Sequence, residues 1–264
     1  MNQNQDLKMQ LLKEFGISDQ PKTIDFCREA YKFLVEGDTM MLKGVNAVTG
    51  EVIVERVPLT PTHSKVVAVD LGLPSGTLWA DRNVGASSPE DYGAFFSWGN
   101  VEPKYPTRKN MDWGHDDDGF KGVYSFNEEE YKKTEGYKLK GDIDLAHDAA
   151  RINMGEPWQM PTSEQFQELY DNCTWERKTV NGVNGYLVTS KINGISLFFA
   201  CSGNGYGSSW YDRGSNGYYW SASFFSAVYA RYLYFYSGGV DPQDDNNRYN
   251  GFAVRPVQNI VTEK

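Results

Sequence analysis

The sequence predicts an α+β protein, with two helices set among many short, mostly antiparallel strands and a small α+β module ahead of them. Three observations carry this. Residues 144–154 and 162–170 show helical apolar spacing with capping residues. Asn193-Gly194 marks a hairpin between two alternating runs. Residues 201–257 are rich in glycine and aromatics, with strand-like runs and no helical period.

Residues 1–60 read as a separate attachment or assembly module. Ser18 or Asp19 caps a helix with Pro21 in its first turn. Ile24, Cys27, Tyr31 and Leu34 share one face of it, and Gly37 ends it. Strands at 39–45 and 51–57 follow, joined by a turn at Thr49-Gly50, and Pro58 and Pro61 mark a linker. The module carries no chemical motif, so its expected work is docking and the setting of any homo-oligomeric state.

The main domain spans 61–264. A strand at 66–71, a turn at Leu73-Pro74-Ser75-Gly76 and a strand at 77–80 open it. Ser88-Pro89-Glu90-Asp91 has the form of a short helix start. Phe95, Phe96 and Trp98 form an aromatic run closed by Gly99, and the polar stretch 102–141 reads as a surface insertion. The first main helix, 144–154, places Leu145, Ala149 and Ile152 on one side and stops at Gly155. Thr162-Ser163-Glu164-Gln165 fits a capping box, with Phe166, Leu169 and Tyr170 as the buried face of the second helix. Strands at 186–190 and 195–200 then flank a type I′ turn at Asn193-Gly194.

Composition narrows the function. The chain has 264 residues, 40% of them hydrophobic, enough for a substantial core. A net charge of -9 and no basic stripe exclude a nucleic-acid partner, since phosphate neutralisation needs clustered Lys and Arg. Cys27, Cys173 and Cys201 are too few and scattered for a disulfide framework or zinc site and read as small buried hydrophobes, although Cys173 and Cys201 could meet. No apolar run approaches the ~20 residues of a membrane span. No secretory signal is visible at the amino terminus, so a soluble protein outside the ordinary export route is expected, without membrane insertion.

The carboxy-terminal strip is the most informative region. From Tyr218 to Tyr236 more than half the residues are Phe, Tyr or Trp. In Arg231-Tyr232-Leu233-Tyr234-Phe235-Tyr236, Leu233 and Phe235 share one face of a strand and the three tyrosines the other. Burying Leu233 and Phe235 displays Tyr232, Tyr234 and Tyr236. Tyrosine suits such a surface, because it offers a large contact area, few rotors and a hydroxyl. The competing arrangement buries the tyrosines under a second packed layer. Residues 224–229 break alternation and read as a loop, and 241–247 read as polar turn.

At this point four motifs become recognisable. Asp70-Leu71-Gly72-Leu73-Pro74-Ser75-Gly76-Thr77-Leu78-Trp79-Ala80 with Asn83-Val84-Gly85-Ala86, then Trp158-Gln159-Met160-Pro161-Thr162, Tyr219-Trp220-Ser221 and Gly251-Phe252-Ala253-Val254-Arg255-Pro256-Val257 occur in order over residues 66–257. Together they resemble a large domain family of gut anaerobes and their phages, which is similar to the formylglycine-generating-enzyme type of C-type lectin fold. Several members look like the variable proteins of diversity-generating retroelements, in which an error-prone reverse transcriptase rewrites template adenines. Asn codons rewritten that way cannot encode Lys, Glu, Gln, Met or Trp. Between Ala222 and Asn250 this chain has no Lys, Glu, Met or Trp, and one Gln, Gln243.

The resemblance implies Phe224, Phe225, Ala227, Val228, Tyr229, Tyr232, Tyr234, Tyr236, Gly239, Asp241, Asp244 and Asp245 as rewritten, ligand-binding positions. Asn246, Asn247 and Asn250 look like unedited template, and Leu233, Phe235, Phe252 and Val254 like the constant set. It implies a non-enzymatic binder of a cell-surface protein or glycan, located on a phage tail or else cytoplasmic, without cofactor. The rivals are a structural subunit that packs through its tyrosines and an oxidase of the fold family. The oxidase uses cysteines near its carboxy terminus, and here none follows Cys201. His115-Asp116-Asp117-Asp118 lacks the EF-hand acids, since Gly114 and Ser125 stand where they belong, and reads as a solvated loop. His63 and His147 read as structural or surface residues, and Asp241-Pro242-Gln243-Asp244 resembles a lectin sugar motif only loosely. No catalytic residue and no metal site are expected.

Overall fold

The computed structural model describes residues 65–104 and 126–259, together with the backbone of three strands between 35 and 58. The chain divides into two units, Met1–His63 and Ser64–Lys264. In the first, β1 (Val35–Glu36), β2 (Thr39–Val45) and β3 (Val52–Pro58) form an antiparallel sheet in that order. The β2–β3 register runs from Thr39 opposite Pro58 to Val45 opposite Val52. Two expectations need correction. Val35 and Glu36 pair with Met40 and Thr39, so no helix runs on to Gly37. Pro58 closes β3 instead of opening a linker, as an edge strand tolerates a missing N–H. The remainder of that helix and the Thr49-Gly50 turn lie outside the described residues.

The second unit begins with β4 (Ala68–Asp70) and β5 (Leu78–Ala80), joined through the Leu73–Gly76 turn. Ser88-Pro89-Glu90-Asp91 is a turn and not a helix. The Asp91 carboxylate folds back onto the Ser87 N–H and hydroxyl at 2.9 Å, and Gly93 at φ 71° diverts the chain. The strand β6 (Phe95–Phe96) is fully buried.

The flanks of the expected surface insertion belong to the core. Lys104 bridges Phe95, and Phe126, 0% exposed, bridges Gly207. A Cβ on Gly251 would stand 2.3 Å from the Phe126 ring, so glycine is required there. Two one-turn helices follow, α1 (Glu128–Tyr131), capped by Asn127, and α2 (Glu135–Lys138). The centre of the insertion, with His115-Asp116-Asp117-Asp118, lies outside the described residues.

The helix expected from 144 begins later, as α3 (Ala149–Met154). Asp148 is its cap, accepting from the Arg151 N–H at 2.9 Å, while Asp144 closes a separate turn onto His147. Leu145 and Ile152 are therefore exposed, and Ala149 and Ala150 are the buried residues. The capping box stands as expected at the head of α4 (Ser163–Asn172): Gln165 N–H donates to the Thr162 hydroxyl, and Thr162 N–H to the Gln165 side-chain oxygen at 2.9 Å. Phe166 and Leu169 are buried, but Tyr170, near the helix end, is 40% exposed.

Next come β7 (Cys173–Val180), β8 (Val183–Ser190) and β9 (Ser196–Ala200), an antiparallel sheet in that order. The two-residue turn with both residues at positive φ is Asn181-Gly182, at 48° and 82°. At the expected site only Gly194 has positive φ, and Gly194 N–H reaches back to the Ser190 carbonyl across a wider loop. The hairpin β10 (Asn204–Tyr206) and β11 (Ser209–Tyr211) leads into β12 (Gly217–Phe224), β13 (Tyr229–Tyr236), β14 (Gly239–Asn247) and β15 (Phe252–Ala253). These last four join β6 in a five-stranded sheet of order β14-β13-β12-β15-β6, with β12 and β15 parallel. Residues 241–247 are thus strand and not turn. Pro242 is accommodated because β14 is the edge and the ladder shifts register between Tyr232 and Tyr234. Finally β16 (Val257–Gln258) pairs with β5.

The unit is therefore α+β, with few helices and several short, mostly antiparallel sheets. Its five-stranded sheet is covered on both faces. Phe95, Tyr219, Leu233, Phe235 and Ala253 join one core cluster, and Phe96, Tyr218, Trp220, Tyr232 and Phe252 the other. Distant segments are tied together at its centre. Tyr219 opposes Ala253, Val257 opposes Trp79, and Gln159 bridges Val257. Arg255, 0% exposed, donates to the Asn83 side chain and to the Ala80 and Phe198 carbonyls. A buried guanidinium with its donors satisfied fixes these strands without a carboxylate partner.

Candidate ligand-binding surface

The strand β13 sorts its side chains as alternation requires on one face only. Leu233 and Phe235 are both 0% exposed. On the other face exposure rises along the strand: Tyr232 is 3% exposed, Tyr234 half-buried and Tyr236 44% exposed. The expectation that all three tyrosines are displayed is corrected at Tyr232. Its ring lies parallel to that of Tyr218 with centroids 5.9 Å apart, and contacts Trp220 and Phe252. The second packed layer thus exists at one end of the strip, built from β12 and β15.

Hydroxyls and carboxylates pair around this layer. Tyr218 donates to Asp212 at 2.6 Å, and Tyr232 to Asp244 at 2.8 Å. Burial pushes both phenols above the ordinary tyrosine range, with the aspartates adding to the shift, so both remain donors at neutral pH. Asp212 sits at φ 58°, a left-handed conformation that aspartate tolerates better than most residues. Asn216 donates to the Tyr234 hydroxyl, and Tyr234 stacks on Tyr236 at 5.5 Å and 18°.

The other expected positions divide in two. Phe225, Ala227 and Val228 are exposed between β12 and β13 and Tyr229 is exposed as the first residue of β13, with Phe225 under the Arg231 guanidinium at 4.0 Å. Phe224, at the end of β12, is partly buried against Trp98. On β14, Asp241 opposes Tyr234 and Asp244 opposes Tyr232, which places both on the tyrosine face. Asp245 opposes Arg231 on the reverse face, 3.8 Å from its guanidinium, and Gly239 opposes Tyr236 at the turn. Of the Asn residues read as template, Asn246 and Asn247 are partly exposed, whereas Asn250 is 7% exposed.

Comparison with protein-family models, curated proteins and solved structures found no match.

Sequence reasoning missed several residues of this surface. Tyr206 and Tyr211 are 51% and 43% exposed, and the Tyr206 ring lies 6.1 Å from Tyr249. The Tyr206-Gly207 and Tyr211-Asp212 pairs, at the ends of two short strands, were the available signal. Arg248, 1% exposed, was also missed. It donates to the Ala227, Gly136 and Leu139 carbonyls, and its backbone N–H to Val228. Its cation lies 4.4 Å from the Trp98 ring. Arg248 thereby fixes the exposed 225–229 loop from below.

Cys173 and Cys201 are free and buried, and desolvation raises both thiols to about 11. At neutral pH they are protonated, which disfavours nucleophilic chemistry. Among the described residues no three His, Cys, Asp or Glu side chains cluster as metal ligands. His147 contacts Asp144 at 2.7 Å, and His63 lies outside the described residues.

Proposed function

We propose that this chain is a non-enzymatic binding protein whose ligand surface comprises the 225–229 loop, Tyr234 and Tyr236 of β13, and Asp241 and Asp244 of β14. The observation that carries the reading is the sorting of β13 and its flanking loops. Solvent-facing aromatics and carboxylates alternate with side chains sealed in the core. Exposed apolar side chains such as Phe225, Val228, Tyr229 and Tyr236 form an area that a partner would cover. The finer fold is a C-type-lectin-like domain, consistent with the way residues 70–86, 158–162, 219–221 and 251–257 converge on one frame.

Diversification by a retroelement fits the same arrangement. Leu233, Phe235, Phe252 and Val254 form the constant set and are all 0% exposed, so replacement of their outward neighbours leaves the core intact. Tyr232 is the exception, since a changed residue there must still fill the space beside Tyr218 and Phe252. The expected targets are cell-surface proteins or glycans, and a phage tail tip is the expected location.

The test is a full-length Phe225→Ser, Tyr234→Ser, Tyr236→Ser variant, scored for retention on a panel of gut bacterial cells and for oligomeric state. Lost retention on a strain that holds the parent, with unchanged assembly, is expected. Retained adhesion would refute the binding surface, and assembly that fails while the fold persists would make this face a subunit contact.

A further inference from the structure

Six Asn-Gly dipeptides occur in this chain, beginning at Asn181, Asn184, Asn193, Asn204, Asn216 and Asn250. Each could undergo the same reaction, because a glycine nitrogen reaches the preceding side-chain carbonyl carbon with no Cβ in the way. That reaction needs a backbone N–H without a partner, an asparagine side chain free to turn, and water. The fold withholds one or more of these from five of the six.

Gly185, Gly205, Gly217 and Gly251 are all buried. Gly205 and Gly251 donate their N–H groups to each other's carbonyls at 2.8 Å. Gly185 sits in β8 between Lys178 and Ala200, and the Asn184 side chain accepts from Thr179 and donates to the Gly214 carbonyl. Gly217 opposes Phe235 in the β12–β13 ladder, with the Asn216 amide held by the Tyr234 hydroxyl. Asn193-Gly194 is exposed but tied down. Gly194 N–H donates to the Ser190 carbonyl at 3.1 Å. The Asn193 amide donates to the Asp70 carbonyl, and its oxygen accepts from the Ile195 N–H, both at 3.0 Å.

Asn181-Gly182 differs in each respect. Both residues are exposed in the turn between β7 and β8, at φ 48° and 82°. Gly182 N–H donates to no group among the described residues, and a Cβ on Gly182 would meet nothing within 4 Å. Among the described residues the Asn181 side chain makes one hydrogen bond, from its amide to the Glu90 carboxylate at 2.7 Å. Water replaces such an exposed bond at little net cost.

We infer that Asn181-Gly182 is a self-modification site, where water converts the asparagine carboxamide to a carboxylate. The Gly182 nitrogen attacks the Asn181 side-chain carbonyl carbon and forms the C–N bond of a cyclic imide. The bond to the carboxamide nitrogen breaks, and that nitrogen leaves as ammonia with the proton from Gly182. Water then adds to either imide carbonyl and opens the ring to aspartate or isoaspartate. Nothing is oxidised or reduced, and water is the sole co-reactant. The new carboxylate faces Glu90, so the hydrogen bond that ties the β7–β8 turn to Ser88–Asp91 gives way to like-charge repulsion.

The test incubates the full-length chain at neutral pH in heavy-oxygen water, both folded and in urea. Peptide mass spectrometry then follows heavy-oxygen uptake at each Asn-Gly. In the folded chain, uptake at Asn181 should be at least about tenfold faster than at the other five. In urea the six rates should converge, because the ties that separate them are gone. An Asn181→Gln variant should lose the fast site without activating another. An Asn181→Asp variant should keep the fold and speed amide hydrogen exchange in residues 88–91. Uptake at Asn193 equal to that at Asn181, a lead at any other Asn-Gly, or no uptake at Asn181 while the urea sample reacts would overturn the inference. So would an Asn181 lead that persists in urea, since sequence and not fold would then set it. Unchanged exchange at 88–91 in the Asn181→Asp variant would overturn the loss of the Glu90 tie.

Discussion

At the residue scale, neighbours on one strand have opposite energetic roles. Phe235 is sealed against Tyr186, Trp175 and Tyr219, and a Cβ on the opposing Gly217 would meet its ring at 2.0 Å. Phe235→Ala should therefore destabilise by about 3–5 kcal/mol in urea unfolding. Tyr236→Ser, at an exposed site, should stay within about 0.5 kcal/mol. Equal effects would contradict the division into inward and outward sets. Tyr219 adds a pH signature. It is fully buried, donates to the Ala200 carbonyl at 2.7 Å, and burial raises its phenol to about 12 from the ordinary 10. A raised folded-state pKa means that its contribution is complete below pH 10 and is lost as pH rises through 12. Stability should fall across that window, and a Tyr219→Phe variant should show a shallower fall.

At the scale of elements, legibility followed how local the signal was. The capping box at Thr162 was readable because its partners lie three residues apart. Thr162→Ala should cost about 1 kcal/mol of stability, with the far-ultraviolet spectrum retained. The strand β7 was not readable, because Thr174, Glu176, Arg177 and Lys178 face solvent and leave no apolar alternation. Its hairpin signal, Asn181-Gly182, lay in plain view, but Asn193-Gly194 offered the same dipeptide where five residues link the strands. The helix expected from 144 starts late because Asp148 is its cap, and Ala149 and Ala150 are the side chains it buries. The strand β14 reads as a turn because Pro242 and its polar neighbours suit an edge that one bulge has relaxed. For the candidate site, the alternation of β13 was legible, whereas the burial of Tyr232 depends on Tyr218 and Phe252, remote in sequence or on another strand.

At the scale of the molecule, the five-stranded sheet lies between two aromatic clusters, and β14, at one edge, keeps most of its side chains partly exposed. Such a frame separates the residues that hold the fold from those that the proposed function assigns to a partner. The buried Arg248 and Arg255 belong to the part that holds the fold, since each anchors backbone carbonyls. The central claim is that change is confined to the outer set, and sequencing of the gene's 3′ end across a cell population, beside any template repeat near it, tests this most directly. The account predicts substitutions at template adenines only, concentrated at Phe225, Ala227, Val228, Tyr229, Tyr234, Tyr236, Asp241 and Asp244. It predicts none at Leu233, Phe235, Phe252 or Val254. Substitutions spread evenly over buried and exposed positions, or arising away from adenines, would contradict it.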